Sequence, residues 1–349
     1  MNLLFVDPKS WTPYDGASLR VQAEGGTEAS LVTIAEGMAA THRVVVEQYG
    51  RSEPFEPSPT LRYLPMHAPR PFGDEPADVV VILRRIRFAS AYRRRFPKAR
   101  LYVWIHNWQR PEVMLKRVVL ARTGCSLIAV SDALARASDR LANGIPARLL
   151  GALAAAGGRV AVQRIYNPVD DGLQVEPVAV DYDRMIFFST PNKGIWQVLA
   201  AFDALRRAIP SMQLDIAGSL AEVLEHYAPG CMVNPGIRVL GRLPREQVLE
   251  HVRRSLCVFY PQCEHPETFG LVFAEANAVG TPVLAHDFGA AAEVLGDREQ
   301  LVDARDHAAI VERVRQWREG GRPSVSGRAA FRTSAVLAEW RRLVESSGR

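Results

Sequence analysis

The chain contains no run of 18 consecutive apolar residues, so none of its helices is expected to span a bilayer. It opens MNLLFVDPKS, an apolar stretch too short for a secretory leader and without a basic lead, which reads instead as a first strand. Cysteine is scarce. Cys125, Cys231, Cys257 and Cys263 form no C-x-x-C pair, which excludes a disulfide-stapled scaffold and points to reduced thiols in a cytoplasmic protein. There is no repeat of 20–50 residues and no low-complexity tract. With 48% hydrophobic and 23% charged residues, the composition excludes a disordered or collagenous chain. Its 349 residues exceed one compact core and suit two domains.

Charge is unevenly placed. Residues 1–168 carry 23 Lys and Arg against 14 Asp and Glu, whereas the remainder carries 20 against 24. Much of the excess lies in Arg84, Arg85, Arg87, Arg93, Arg94, Arg95, Lys98 and Arg100. Such a face attracts phosphate or an anionic membrane, or else is simply a solvated helix surface. Aromatic residues do not interleave with it as a base-stacking platform requires, so nucleic acid is not an expected partner.

Short apolar runs alternate with helical patterns, the signature of parallel sheets with crossover helices. In the first half, strands are expected at Leu3–Asp7, Arg43–Gln48, Asp78–Leu83, Leu101–His106 and Leu127–Ser131. Helices are expected at Thr27–Thr41, up to Phe96, and at Asp132–Leu141, with Gly151–Gly158 linking a helix end to the next strand. Pro, Asp and Gly cluster near Asn167–Pro177 and mark a boundary. Beyond it, strands are expected at Met185–Ser189, Gln213–Ala217, Ile237–Leu240, Leu256–Tyr260 and Thr281–Ala285. Helices follow from Gly194, from Pro244 as first helical residue, and from about Gly270. The fold class is therefore α/β, with two successive doubly wound, Rossmann-like domains.

The most informative stretch runs from His265 to Leu284 and contains Glu267-Thr-Phe-Gly-Leu271 with Glu275 eight residues after Glu267. Its glycine turn opens a helix whose free N–H groups and dipole favour an anion, and the carboxylates can accept hydrogen bonds from sugar or ribose hydroxyls. This resembles the E-x7-E motif of retaining GT-B glycosyltransferases, specifically family 4. The resemblance implies that Glu267 contacts a donor sugar, Glu275 the nucleotide ribose, and the amides of Phe269, Gly270 and Leu271 the diphosphate, with Thr268 also among the donor-binding residues. Lys193, in Pro191-Asn-Lys-Gly194, matches the family's diphosphate-binding Lys, but Phe188 stands where the family usually has Arg. Gly25-Gly-Thr-Glu28 is similar to the G-G-x-E loop facing donor phosphates and acceptor, and His106 to a His near the donor sugar. Gly241-Arg-Leu243 corresponds to the border of the base pocket. Ala129-Val-Ser-Asp132, Ile165-Tyr-Asn-Pro-Val-Asp170 and Glu293 also fit the pattern.

The implied architecture is a GT-B pair facing across a cleft. Residues 1–168 form the acceptor side, 169–332 bind the nucleotide sugar, and a helix within about 333–349 packs back on the first domain. The implied activity is a retaining, metal-independent transfer of a hexose-type sugar from a nucleotide diphosphate sugar to an acceptor hydroxyl, in cell-surface glycan or glycolipid assembly. Glu267, His106 and Lys193 would be catalytic, with no metal and no cofactor. A carbohydrate or lipid-linked acceptor is the expected partner. The basic first domain, through Arg93, Arg94 and Arg95, would touch the inner face of the membrane peripherally. Three alternatives remain: a catalytically silent scaffold binding a sugar nucleotide or a partner subunit, a nucleotide-sugar epimerase, and a metal-dependent transferase using Asp181-Tyr-Asp183 in the linker.

Overall fold

The computed structural model describes residues 1–21, 25–109, 113–190, 192–218 and 234–346. Two compact units emerge, one from residues 1–19, 25–168 and 333–346 and the other from residues 20–21 and 169–332. In the first unit, one sheet contains β1 (Asn2–Asp7), β2 (Arg43–Gln48), β3 (Phe55–Ser58), β4 (Leu61–Pro65), β5 (Val79–Leu83), β6 (Arg100–Ile105), β7 (Ser126–Ala129) and β8 (Val162–Arg164). Their order is β3-β4-β2-β1-β5-β6-β7-β8. All neighbours run parallel except β3 against β4. Strands buried on both faces read as continuous apolar runs, as in the fully buried VVVIL of β5.

The second sheet contains β9 (Asp181–Phe187), β10 (Gln213–Ile216), β11 (Ile237–Val239), β12 (Ser255–Tyr260) and β13 (Val283–Ala285), ordered β11-β10-β9-β12-β13 and wholly parallel. Each sheet therefore has a switch point where the winding reverses, between β1 and β5 in the first and between β9 and β12 in the second. Loops leaving the carboxyl ends of those strands diverge, so ligands of open α/β sheets bind there.

The helix Thr333–Glu345 belongs to the first unit, where it packs against the helix Gly26–Ala39. It buries Val336, Leu337, Trp340 and Val344. Trp340 meets Phe5 and Trp104 edge-on, with ring centroids 5.8 and 4.9 Å apart. Arg100 caps the end of this helix by donating to the carbonyl oxygens of Leu343, Val344 and Ser346.

Several expectations need correction. Strand β9 begins at Asp181, so Asp181-Tyr-Asp183 lies in a strand and not in a linker. Both carboxylates are engaged, Asp181 by Arg184 and Asp183 by Arg318 and Ser211. Pro244 is the N-cap of the helix Arg245–Arg254 and not its first residue. The segment from Gly151 begins inside a helix, Ile145–Leu153. The basic run is not one solvated face. Arg93 donates to the carbonyls of Thr123, Pro97 and Ala99, each at 2.8 Å, while Arg95 pairs with the buried Glu47 at 2.8 Å. Arg85, Arg87, Arg94 and Lys98 are the exposed members. A membrane contact through the trio Arg93, Arg94 and Arg95 is therefore withdrawn, because two of the three hold the fold together.

Cys125 and Cys257 are free and buried, and Cys263 is free and half-buried. Burial pushes the Cys125 thiol up to about 12. Cys231 lies outside the described residues, as does Pro191. Among the described residues, no helix is long and apolar enough to cross a membrane.

Trp340 is fully buried. Trp340→Ala is expected to cost about 3–5 kcal/mol of first-unit stability, read from the urea midpoint. A loss below about 1 kcal/mol would show that this helix is not part of that core.

Candidate functional site

In the second unit, β9 and β12 lie side by side, and the loops that follow them bring Lys193 and Glu267 together. Lys193 Nζ lies 3.0 Å from both Glu267 carboxylate oxygens. The Tyr260 hydroxyl, at the end of β12, donates to Glu267 Oε1 at 2.8 Å. Burial, and then the Glu267 charge, push the Tyr260 phenol well above its ordinary range, so it remains a proton donor. The Glu267 side chain is 6% exposed and that of Lys193 is 43% exposed, so the pair presents its cationic end to solvent.

Glycines fix the surrounding backbone. Gly194 (φ +84°) caps the helix Ile195–Ala208, and a Cβ there would sit 2.9 Å from Gln262 Cβ. Gln262 is buried and templates the loop, accepting from the amides of Glu264 and His265 and donating to the His265 carbonyl at 2.7 Å. Gly270 (φ +87°) caps the helix Leu271–Ala278, with Phe269 buried against Phe331 just before it. The backbone of Glu267 is held by Ala290, whose amide donates to its carbonyl at 2.9 Å. At Gly289 (φ +71°), a Cβ would collide with the Glu267 carbonyl oxygen and lie 2.9 Å from its amide nitrogen.

Glu275 sits in the same helix and accepts from Arg245 Nη2 at 2.8 Å. Arg245 opens the helix Arg245–Arg254, four residues after Gly241 (φ +78°) and two after Leu243. Burial opposes the Arg245 charge, but Glu275 and then Asp170 raise its pKa. The predicted base-pocket border is thus joined to the second glutamate of the motif through a cation that sequence reasoning did not single out.

The first unit carries its own polar cluster at its switch point. Asp7 ends β1 fully buried, accepting from the Tyr14 hydroxyl at 2.8 Å and from Arg84 Nη2 at 3.0 Å. The same guanidinium nitrogen reaches Glu28 Oε1 at 3.0 Å. Glu28 is therefore ion-paired, and Gly25 N-caps the helix that Gly26 begins. Arg84 follows β5 with φ +60°, a left-handed conformation uncommon for a side-chain-bearing residue and typical of constrained sites. Burial opposes its charge, and Asp7 and Glu28 outweigh that and raise its pKa. His106 follows β6, its ring 4.4 Å from Trp104. Burial, and then Arg84, push its pKa well below the ordinary value, which makes it a neutral imidazole at pH 7.

The structure thus brings Lys193, Glu267, Thr268, Phe269, Gly270, Leu271 and Glu275 to one side of one sheet. In the other unit, Gly25 and Gly26 start a helix and His106 follows the strand β6. Sequence reasoning missed Tyr260, Gly289 and Arg245, and counted Arg84 only as a member of a charge run. For Arg84, the available signal was its place immediately after the apolar run of β5.

Residues 186–332 match the family model described as Glycosyl transferases group 1. The chain is similar to a phosphatidyl-myo-inositol mannosyltransferase of Mycobacterium leprae, 32% identical over 151 residues, covering 41% of this chain and 40% of that protein. It is also similar to a glycogen synthase of Mycobacterium tuberculosis, 32% identical over 128 residues, covering 36% of this chain and 30% of the synthase. The chain thus matches well under half the length of each of these two relatives. Across 99% of its length, it shares its fold with Anabaena Alr3699/HepE, solved in complex with UDP and glucose, at a TM-score of 0.66 and 18% identity, covering 100% of that chain. The α/β fold is that of the GT-B neighbours, with two Rossmann-like units.

Two outcomes test the site. Gly289→Ala is expected to destabilise the second unit by roughly 1–3 kcal/mol in urea melts, because a strained φ is joined by a backbone collision. For His106, the unfolded chain takes up a proton below about pH 6.5 that the folded chain refuses. Wild type should therefore lose up to about 1.4 kcal/mol of stability per pH unit relative to His106→Gln as pH falls from about 7 to 5. Parallel stability curves for the two proteins would refute a depressed His106 pKa.

Proposed function

We propose that this chain is a retaining glycosyltransferase that moves a hexose-type sugar from a nucleotide diphosphate sugar to an acceptor hydroxyl. The observation that carries this reading is the Lys193–Glu267 pair at the second switch point, with Glu275 eight residues further on and each glutamate held by a cation. The match of residues 186–332 supports it, as do the activities for which the mannosyltransferase and synthase relatives are named. The acceptor is a carbohydrate or a lipid-linked glycan engaged by the first unit, in cell-surface glycan or glycolipid assembly on the inner face of the membrane.

In this reading, negative charge grows on the departing diphosphate as the glycosidic bond breaks. Lys193 and the backbone amides at the start of the helix Leu271–Ala278 meet that charge in this reading, and no metal or other cofactor takes part. Glu267 takes sugar hydroxyls and Glu275 ribose hydroxyls. The acceptor hydroxyl attacks from the face the diphosphate leaves and gives its proton to the departing phosphate oxygen, which retains the anomeric configuration without a covalent enzyme intermediate. His106 enters this reading only as a neutral imidazole, with no charge of its own.

A silent scaffold is the second reading, favoured by Phe188 where the resemblance calls for Arg. Nucleotide release measured over a panel of UDP and GDP sugars separates the two, with product stereochemistry read by NMR. Lys193→Ala should lower turnover about 10²–10³-fold. Glu275→Ala should mainly weaken donor binding. Wild-type rates in both variants would refute the site, and tight donor binding without turnover would favour the scaffold.

A further inference from the structure

The helix Ile145–Leu153 is built inside out. Its inward face carries the small residues Ala147 and Gly151, both buried. A Cβ on Gly151 would collide with the guanidinium of Arg117, itself buried and donating to the carbonyls of Ala156 and Gly158 at 2.7 and 2.6 Å. Its outward face carries Ile145, Leu149 and Leu153, which are 75%, 62% and 88% exposed. At spacings of four, these residues form a single stripe along the helix. On the helix Val113–Thr123, which packs against it, Leu115 is 66% exposed. Scattered exposed leucines need no explanation, but a row of them on one short helix marks a surface that meets something apolar.

The charge around the stripe says what that surface meets. Lys116 and Arg148 are exposed beside the apolar residues, and the chain carries no acidic residue between Asp139 and Asp170. An apolar stripe with a basic rim fits the interface of an anionic bilayer, where side chains enter the acyl boundary and cations meet lipid phosphates. We propose that the outward face of Ile145–Leu153, with Leu115 and Lys116, docks the first unit onto anionic membrane. It takes the place of the arginine trio, two members of which the fold consumes, and it deepens the lipid-linked acceptor in the functional reading above, on which it rests.

The test is co-sedimentation of the full chain with vesicles of equimolar phosphatidylcholine and phosphatidylglycerol, against vesicles of phosphatidylcholine alone. No donor or acceptor is present, so the outcome is independent of whether the chain transfers sugar. Binding should favour the anionic vesicles and weaken with salt. Leu149→Ser with Leu153→Ser should reduce it about tenfold or more while the melting temperature holds. Arg148→Glu, which leaves the apolar stripe intact, should reduce binding to the anionic vesicles. Failure of the wild type to bind, or equal binding by the double variant, overturns the proposal. So does a concentration-dependent dimer in sedimentation equilibrium that the double variant abolishes, because the stripe would then serve a second copy of this chain.

Discussion

A carboxylate taken out of water must be paired, and Glu267 is the one around which the second unit is arranged. Its charge would be costly to bury without Lys193 and the Tyr260 phenol, both within 3.0 Å. Bringing those two groups to one carboxylate requires β9 and β12 to be neighbours, since Lys193 follows one strand and Tyr260 ends the other. It also requires tight backbone turns. Gly194, Gly270 and Gly289 all have positive φ, and at each a side chain would press on a neighbour of the site. The ion pair, the strand order and the glycines are therefore one constraint seen at three levels.

The first unit solves a similar problem with the signs exchanged. There the buried Asp7 ends the strand, and the cation Arg84 arrives from the next strand across the switch point. Arg84 also holds Glu28, and its charge adds to burial in lowering the His106 pKa, so one guanidinium bears on polar groups that follow or end three strands. This changes how the positive charge of the first 168 residues reads. Arginines clustered in sequence part company in space, serving the switch point, a helix C-terminus or buried carbonyls, and leave only some of their charge to solvent.

Most of the strands that were legible are buried on both faces, because a short continuous apolar run has few other uses; β1, β2, β5, β6 and β12 all read this way. Those at the first sheet's edges did not. Pro57 lies in the edge strand β3, where a missing donor is tolerated, Pro65 ends its neighbour β4, and β8 spans only three residues. The helix Ile145–Leu153 escaped notice because its apolar residues face outward, so its pattern does not announce a core. In the candidate site, Glu267, Glu275 and Lys193 were legible from spacing and from their place at strand ends. Tyr260 was not, since a tyrosine closing an apolar strand reads as core until a carboxylate is found beside it.

The order of apolar runs, glycine turns and helix starts is a local property, and it determined the α/β class, the two-unit organisation and the strand ends where charged side chains gather. Pairing between charges is a property of the assembled sheet. Lys193 and Glu267 are 74 residues apart, and Asp7 and Arg84 are 77 apart. Nothing in the intervening sequence specifies either contact. Each follows from which strands become neighbours, and that choice is made only when the sheet closes and a buried charge must find its counterion.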